Sequence, residues 1–235
     1  MVDLFHRDAY LRSFEADVVA WNEKTVALTQ TAFYPTGGGQ PHDTGLLRWE
    51  GGKARVTSVR RRDGSIWHAL EGDLPEVGVM VQGELDWDRR YKLMRTHTAM
   101  HILCGVIWRD YQASVTGGQM SPGRGRMDFE FAAMSKELVA DIQASINAEV
   151  KAERPVRSRF LPRAEAFEIP DLIRTRINLL PEHITEVRIV EIVGLDLQAD
   201  GGTHVANTSE VGPIQIVDYK SKGAINKRLV VELEG

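Results

Sequence analysis

Residues 86–108 read DWDRRYKLMRTHTAMHILCGVIW, and this stretch divides the chain into two kinds of sequence. It holds no proline, and its first glycine is Gly105. Met94, Ala99, Ile102, Leu103, Val106 and Ile107 recur at helical spacings, which predicts an α-helix over residues 88–108. Asp86 or Asp88 is placed to cap its N-terminus, where a carboxylate accepts from orphan backbone N–H groups and opposes the helix dipole. The apolar positions occupy more than one face, so the helix is expected to be buried.

Upstream of it the sequence is a series of short β-branched runs. Residues 18–21 and 25–29 flank the polar Asn22-Glu23-Lys24 and predict a hairpin. Residues 45–49 precede the turn signal Glu50-Gly51-Gly52-Lys53, and residues 54–59, 65–70 and 79–85 read as further strands. Short strands joined by Gly, Asp and Asn turns predict a small β-barrel over residues 1–88. Downstream, Ser135 is the expected N-cap of a second helix running to about Ala152, with Leu138, Ile142, Ile146 and Val150 as its apolar stripe. Residues 127–131, 187–193, 213–217 and 228–233 read as strands. The expectation is an α+β protein whose second domain, residues 89–235, packs helices on a mainly antiparallel sheet.

The 235 residues are 43% hydrophobic and 26% charged, an ordinary globular balance. No apolar run approaches the ~18–20 residues that span a bilayer, and residues 1–7, MVDLFHR, lack the basic start and apolar run of a secretory signal. Cys104 is the only cysteine, which excludes an internal disulfide and fits a reducing compartment. A cytoplasmic protein without a membrane partner is expected. The net charge of −4 does not advertise a nucleic-acid partner. Basic residues nevertheless cluster at Arg60, Arg61 and Arg62, at Arg89, Arg90, Lys92 and Arg95, from Arg154 to Arg163, and at Lys220, Lys222, Lys227 and Arg228. Such clusters either grip phosphates or are ordinary solvated charge.

Two short motifs carry metal chemistry. His97 and His101 are four residues apart, so a helix puts both imidazoles on one face, ~6 Å apart along its axis. Alone, such a pair is as readily two helical histidines bonded to neighbours. Asp200-Gly201-Gly202-Thr203-His204 follows an expected strand and adds a carboxylate and a third imidazole from a compact turn. Three imidazoles and one carboxylate make a tetrahedral set for one ion, with zinc (Zn2+) the first choice and other divalent ions open. Cys104 lies seven residues beyond His97, a rise of ~10.5 Å, and is read as a buried, inert thiol outside the set. The other unusual segment is Phe33-Tyr34-Pro35-Thr36-Gly37-Gly38-Gly39-Gln40-Pro41. Its glycines expose backbone N–H groups, and Thr36 and Gln40 offer a hydroxyl and an amide to a polar ligand; a flexible turn is the other reading. No Lys follows the last glycine, which excludes a phosphate-binding Gly-Lys-Ser/Thr loop.

Residues 95–103, RTHTAMHIL, resemble the His-x-x-x-His motif of alanyl-tRNA editing domains, and residues 200–205, DGGTHV, resemble their second motif of the Cys-x-Gly-Thr-His type. Residues 33–40 resemble the glycine-rich motif of the medium-length, free-standing members, the AlaX proteins. Thr116-Gly117-Gly118-Gln119, Arg126-Met127-Asp128-Phe129 and Ser221-Lys222-Gly223 are similar to later parts of the same family, so the resemblance covers nearly the whole chain in order. It implies a small N-terminal β-barrel and an α+β editing domain. It also implies a zinc-dependent hydrolase that deacylates mischarged tRNA(Ala), chiefly Ser-tRNA(Ala) and also Gly-tRNA(Ala). No room remains for an aminoacylation domain, so correction would occur in trans.

By the resemblance, His97, His101, Asp200 and His204 hold the ion and form the catalytic centre. Thr36, with Gly37, Gly38, Gly39 and Gln40, receives the amino acid and contacts the serine hydroxyl. Lys222 and Arg228 are candidates for tRNA phosphates. The family usually has Cys where this chain has Asp200. A carboxylate is harder than a thiolate, so the ion is held more weakly or exchanges faster, or Asp200 serves as a base instead of a ligand. A threonyl-tRNA-type editing hydrolase, a catalytically inactive metal-stabilised tRNA-binding module and a metal hydrolase of small esters remain as other readings. Monomer and homodimer both remain open.

Overall fold

The computed structural model describes residues 2–131, 133–172, 184–223 and 225–234. The chain divides into two compact units, Met1–Leu93 and Met94–Gly235. The first carries β1 (Val2–Asp3), α1 (Leu4–Arg7), β2 (Ser13–Asn22), β3 (Thr25–Leu28), β4 (Gln30–Thr31), β5 (Gly45–Trp49), β6 (Gly52–Arg62), β7 (Ser65–Gly72) and β8 (Met80–Leu85). Six strands close an antiparallel barrel in the order β2-β3-β7-β6-β5-β8. Closure removes every open edge from these strands. Helix α2 (Trp87–Tyr111) begins in this unit.

Alternation explains the barrel wall. In β2, Phe14, Ala16 and Val18 are buried between exposed Ser13, Glu15 and Asp17, so the strand starts at Ser13, five residues earlier than the β-branched run at residue 18 suggests. The same two-residue period buries Val81 and Leu85 in β8, and Ile66 and Leu70 in β7. His68, between Ile66 and Leu70, is also inside. Its Nδ1 donates to the Val26 carbonyl at 3.1 Å and its Nε2 accepts from Thr31 Oγ1 at 2.9 Å, which satisfies both ring nitrogens in a neutral state. Of the two aspartates that could cap α2, Asp86 does so, its Oδ1 accepting from Arg89 N at 3.2 Å.

The second unit carries the rest of α2, then β9 (Val115–Ser121), β10 (Arg124–Glu130), α3 (Lys136–Lys151), β11 (Val156–Pro162), α4 (Arg163–Phe167), β12 (Glu186–Ile192), β13 (Asp196–Ala199), a 3-10 turn at Thr208–Val211, β14 (Ile214–Ser221) and β15 (Asn226–Leu233). Its described strands form two antiparallel sheets, β14-β15-β10-β9 and β11-β12-β13, where the sequence suggested one. Strand β11 went unseen because it lies at a sheet edge and buries no residue fully, and β9 because Gly117 and Gly118 interrupt its pattern. Ser135 caps α3 by accepting from Leu138 N at 3.1 Å. The buried stripe of α3 is Val139, Ile142, Ile146 and Val150; Leu138 is only half-buried, one position off the face. Asn147 and Gln143 tie α3 to the edge strand β14 through the backbone of Ile214 and Ile216.

Candidate metal centre

Helix α2 sets His97 and His101 on one face, ring centroids 5.2 Å apart. The turn after β13 brings His204 over them, stacked on His97 at 4.3 Å and 4.7 Å from His101. Asp200 Oδ1 lies 3.4 Å from His97 Nε2, and Asp200 Oδ2 lies 3.0 Å from His204 Nε2. One ligand atom from each of His97, His101, Asp200 and His204 falls within 4.8 Å of all the others. The three imidazoles are buried. Cys104 is also buried and is not among the grouped atoms.

Hydrogen bonds fix the orientation of these groups. His101 Nδ1 lies 3.0 Å from Asp196 Oδ2, which also accepts from Gln198 Nε2 at 2.7 Å. His204 Nδ1 lies 3.1 Å from Thr98 Oγ1. With Nδ1 occupied in both rings, Nε2 is the nitrogen left to present to a common ion. Gly105, one turn beyond His101, lets this happen. A Cβ there would stand 2.9 Å from Leu195 Cγ and 3.0 Å from Asp196 Cβ, so its bare backbone admits the chain that brings Asp196 to His101. The turn at Asp200 is held from both sides. Asp200 Oδ2 accepts from Gly202 N at 2.7 Å, and buried Arg188 on β12 donates to the carbonyls of Asp200 and Gly202 at 3.0 and 2.9 Å.

The electrostatics favour a cation. Burial lowers His97 to about 4, against the pull of Asp200 and with His101 and Arg188 adding to the depression. Burial and the neighbouring imidazoles hold His204 well below its usual value. His101 also suffers burial, but the hydrogen bond and charge of Asp196 outweigh it and raise the ring. Burial opposes ionisation of Asp200, yet the His97 and His204 contacts keep its carboxyl well below the usual range. At neutral pH the site therefore holds lone pairs on His97 and His204 beside an ionised carboxylate. That donor set fits a divalent ion of borderline hardness, such as zinc.

In the first unit, the glycine-rich loop is a defined turn. Gly37 N donates to Gln40 O at 3.1 Å and Gln40 N to Gly37 O at 2.9 Å, with Gly38 at φ 56° and Gly39 at φ 84°. Two successive positive φ angles are the mark of a type I′ hairpin turn, which glycine supplies without strain. Thr36, Gly37, Gly38 and Gly39 are exposed, while Gln40 is buried. Thr36 Oγ1 lies 3.0 Å from His42 Nδ1. Behind the loop, Asp43 and Arg90 form a fully buried ion pair, and Asp43 Oδ2 also accepts from Tyr34 N at 2.6 Å.

Among the basic candidates, Lys222 is exposed, whereas Arg228 is engaged by Asp128 in two bonds of 2.7 Å. Arg61 pairs with Asp3, and Arg154 with buried Glu149. The residues that sequence reasoning missed are the orienting ones: Thr98, Asp196, Arg188 and His42. Thr98 sits at a variable position inside the His-x-x-x-His motif, and none of Asp196, Arg188 and His42 is a fixed position of a spaced motif. Gly105, in an otherwise glycine-free helix one turn from His101, was the available hint of a close approach.

Comparison with known proteins finds relatives among alanyl-tRNA editing proteins and, over part of their length, alanine–tRNA ligases. The family described as tRNA synthetases class II (A) matches residues 7–89, and the threonyl and alanyl tRNA synthetase second additional domain matches residues 187–230. The alanyl-tRNA editing protein AlaX-M of Saccharolobus solfataricus is 40% identical over 231 residues, covering 97% of this chain and 96% of that one. The protein of the same name from Methanosarcina barkeri is 37% identical, covering 98% of each. The alanine–tRNA ligase of Pyrobaculum aerophilum is 40% identical over 222 residues, which are 91% of this chain but 25% of the ligase.

Proposed function

The chain belongs to the alanyl-tRNA editing proteins of the AlaX-M kind, and from that premise we propose that it hydrolyses Ser-tRNA(Ala), and Gly-tRNA(Ala) less well, in trans and with one bound zinc ion. The observation that carries this reading is the convergence of His97, His101, Asp200 and His204 from two distant segments onto one point.

These four residues would hold the ion. When bound, it supplies Lewis acidity toward the ester carbonyl or an attacking water. The remaining roles belong to the protein. Asp196 and Thr98 hold the His101 and His204 rings in register, and Arg188 keeps the Asp200 turn closed. Asp200 has two carboxylate oxygens; Gly202 N anchors Oδ2, and Oδ1 faces His97. Thr36 is assigned the serine hydroxyl on the resemblance of its loop. A pocket that hydrogen-bonds this hydroxyl penalises alanine by leaving a polar group unpaired, and such discrimination reaches ~10⁴–10⁵. Lys222 and Arg228 are retained as candidates for tRNA phosphates. No described helix is long and apolar enough to cross a membrane.

The test is deacylation of Ser-tRNA(Ala) beside Ala-tRNA(Ala), before and after chelation and with zinc restored. Metal-dependent loss of serine with alanine spared is the expected result, and His97→Ala should lose metal and hydrolysis together. Full activity in that variant would sink the assigned centre. The carboxylate at position 200 supports a second reading, a tRNA-binding module without turnover. Retained tRNA binding with neither substrate hydrolysed would select it.

A further inference from the structure

We infer that His42 is a specificity-determining positioning residue: it accepts the hydrogen bond of the Thr36 hydroxyl and so leaves Thr36 Oγ1 able only to accept, which selects amino acids whose side chain donates. The inference rests on the reading that Thr36 meets the substrate side chain.

His42 Nε2 lies 3.1 Å from the Thr57 carbonyl oxygen, which can only accept, so Nε2 carries a hydrogen. In a neutral imidazole Nδ1 is then bare. The 3.0 Å contact between Nδ1 and Thr36 Oγ1 needs one hydrogen, and the hydroxyl is the group that has it. An imidazolium would reverse this bond. Burial, together with the positive charges of Arg89 and Arg60, lowers the His42 pKa below its ordinary value despite the Thr57 bond and the nearby Asp43, so the ring is neutral at pH 7.

The pair is also held in place. Thr36 N donates to the Val59 carbonyl at 3.1 Å, and His42 bonds to the Thr57 carbonyl, so both residues hang from the same strand, β6. Arg89 donates to the His42 carbonyl through Nε and Nη2 at 3.0 and 2.9 Å, and the neighbouring Asp43 is locked by buried Arg90. Thr36 is exposed with its hydroxyl hydrogen turned back to the barrel. Its outward lone pairs have no use for a methyl group or a hydrogen atom. They suit a hydroxyl that donates, and not the same oxygen once its hydrogen is replaced by methyl.

The experiment uses the full chain with zinc and compares deacylation of Ser-, O-methylseryl- and Ala-tRNA(Ala). In the wild type the seryl ester should be cleaved at least ~10-fold faster than the O-methylseryl ester, the scale of one hydrogen bond; equal rates overturn the proposal without needing any variant. His42→Leu should lower the serine-to-alanine rate ratio ~10-fold with metal content unchanged. His42→Asn, whose Oδ1 can take the place of Nδ1 as acceptor, should restore most of it. A loss in His42→Asn as deep as in His42→Leu would assign His42 to packing and overturn the proposal. Thr36→Val separates the premise from the inference. If Thr36→Val lowers the ratio and His42→Leu does not, only the role of His42 falls. If Thr36→Val leaves the ratio intact, the reading of Thr36 falls and takes the inference with it. In the double variant, His42→Leu should add nothing to Thr36→Val.

Discussion

At position 200 a carboxylate meets three imidazoles and the Arg188 guanidinium, and each neighbour constrains what it can be. Its Oδ2 is 3.0 Å from His204 Nε2 and 3.8 Å from Arg188 Nη1, and its carboxyl is held ionised. An ionised carboxylate is a workable zinc ligand but a harder one than thiolate. Asp200→Cys should therefore tighten zinc by ~10-fold or more relative to the parent, read by competition with a chromogenic chelator. An unchanged affinity would mean that position 200 is not a ligand. Asp196 acts one step further out, on the ring of His101. It carries no motif, because a hydrogen-bond partner of a ligand can come from any part of the chain.

The decisive element is α2. It supplies two imidazoles, and it must also let the Leu195-Asp196 chain come against its surface at Gly105. Alanine is favoured over glycine inside a helix by ~1 kcal/mol, so Gly105→Ala should stabilise an isolated helix. In this protein the added Cβ would sit 2.9–3.0 Å from Leu195 and Asp196, and the displacement should loosen the His101–Asp196 bond. Zinc affinity is expected to fall ~10-fold, with helical circular dichroism preserved. A variant that binds zinc as the parent does would show that the turn yields without moving Asp196. In the barrel, the relevant element is β7 with buried His68, whose pKa burial lowers from 6.5 to about 4, against the Val26 hydrogen bond. The folded state holds this ring neutral while the unfolded chain protonates it near 6.5. Its stabilising contribution is complete above pH 6.5 and is lost as pH falls from 6.5 to about 4, about 3 kcal/mol in all. Urea unfolding of the wild type and of His68→Leu between pH 7 and pH 5 measures the difference. The wild type should show the steeper loss, by up to one proton, and parallel curves would refute the assignment.

For the whole molecule, a net charge of −4 must be reconciled with a polyanionic substrate. Binding to tRNA(Ala) should weaken with salt, and Lys222→Ala should reduce the slope of log affinity against log salt by about 0.7–1 if that exposed side chain meets a phosphate. An unchanged slope would make Lys222 ordinary surface charge. Arg228, committed to Asp128, is the weaker candidate of the two. Much of the architecture was legible in the chain. Most barrel strands and α3 advertise themselves because burial on one face imposes a period of two or nearly four on residues such as Ile66, His68 and Leu70, or Ile142, Ile146 and Val150. Strands β9 and β11 do not, since glycines or an exposed edge leave no such period. The four ligand candidates were legible as two compact motifs, whose chemistry is local: a helical i, i+4 pair and a glycine turn. That they meet was expected from their combined donor chemistry; the distances and ring orientations at which they meet were not, because strands and helices intervene between His101 and Asp200. The tertiary structure alone decided that Asp196 and Thr98 meet the rings of His101 and His204, that Arg188 closes the Asp200 turn, and that His42 Nδ1 stands beside the Thr36 hydroxyl. Hydrogen bonds depend on distance and direction in space, and sequence spacing records neither once the partners lie on different elements.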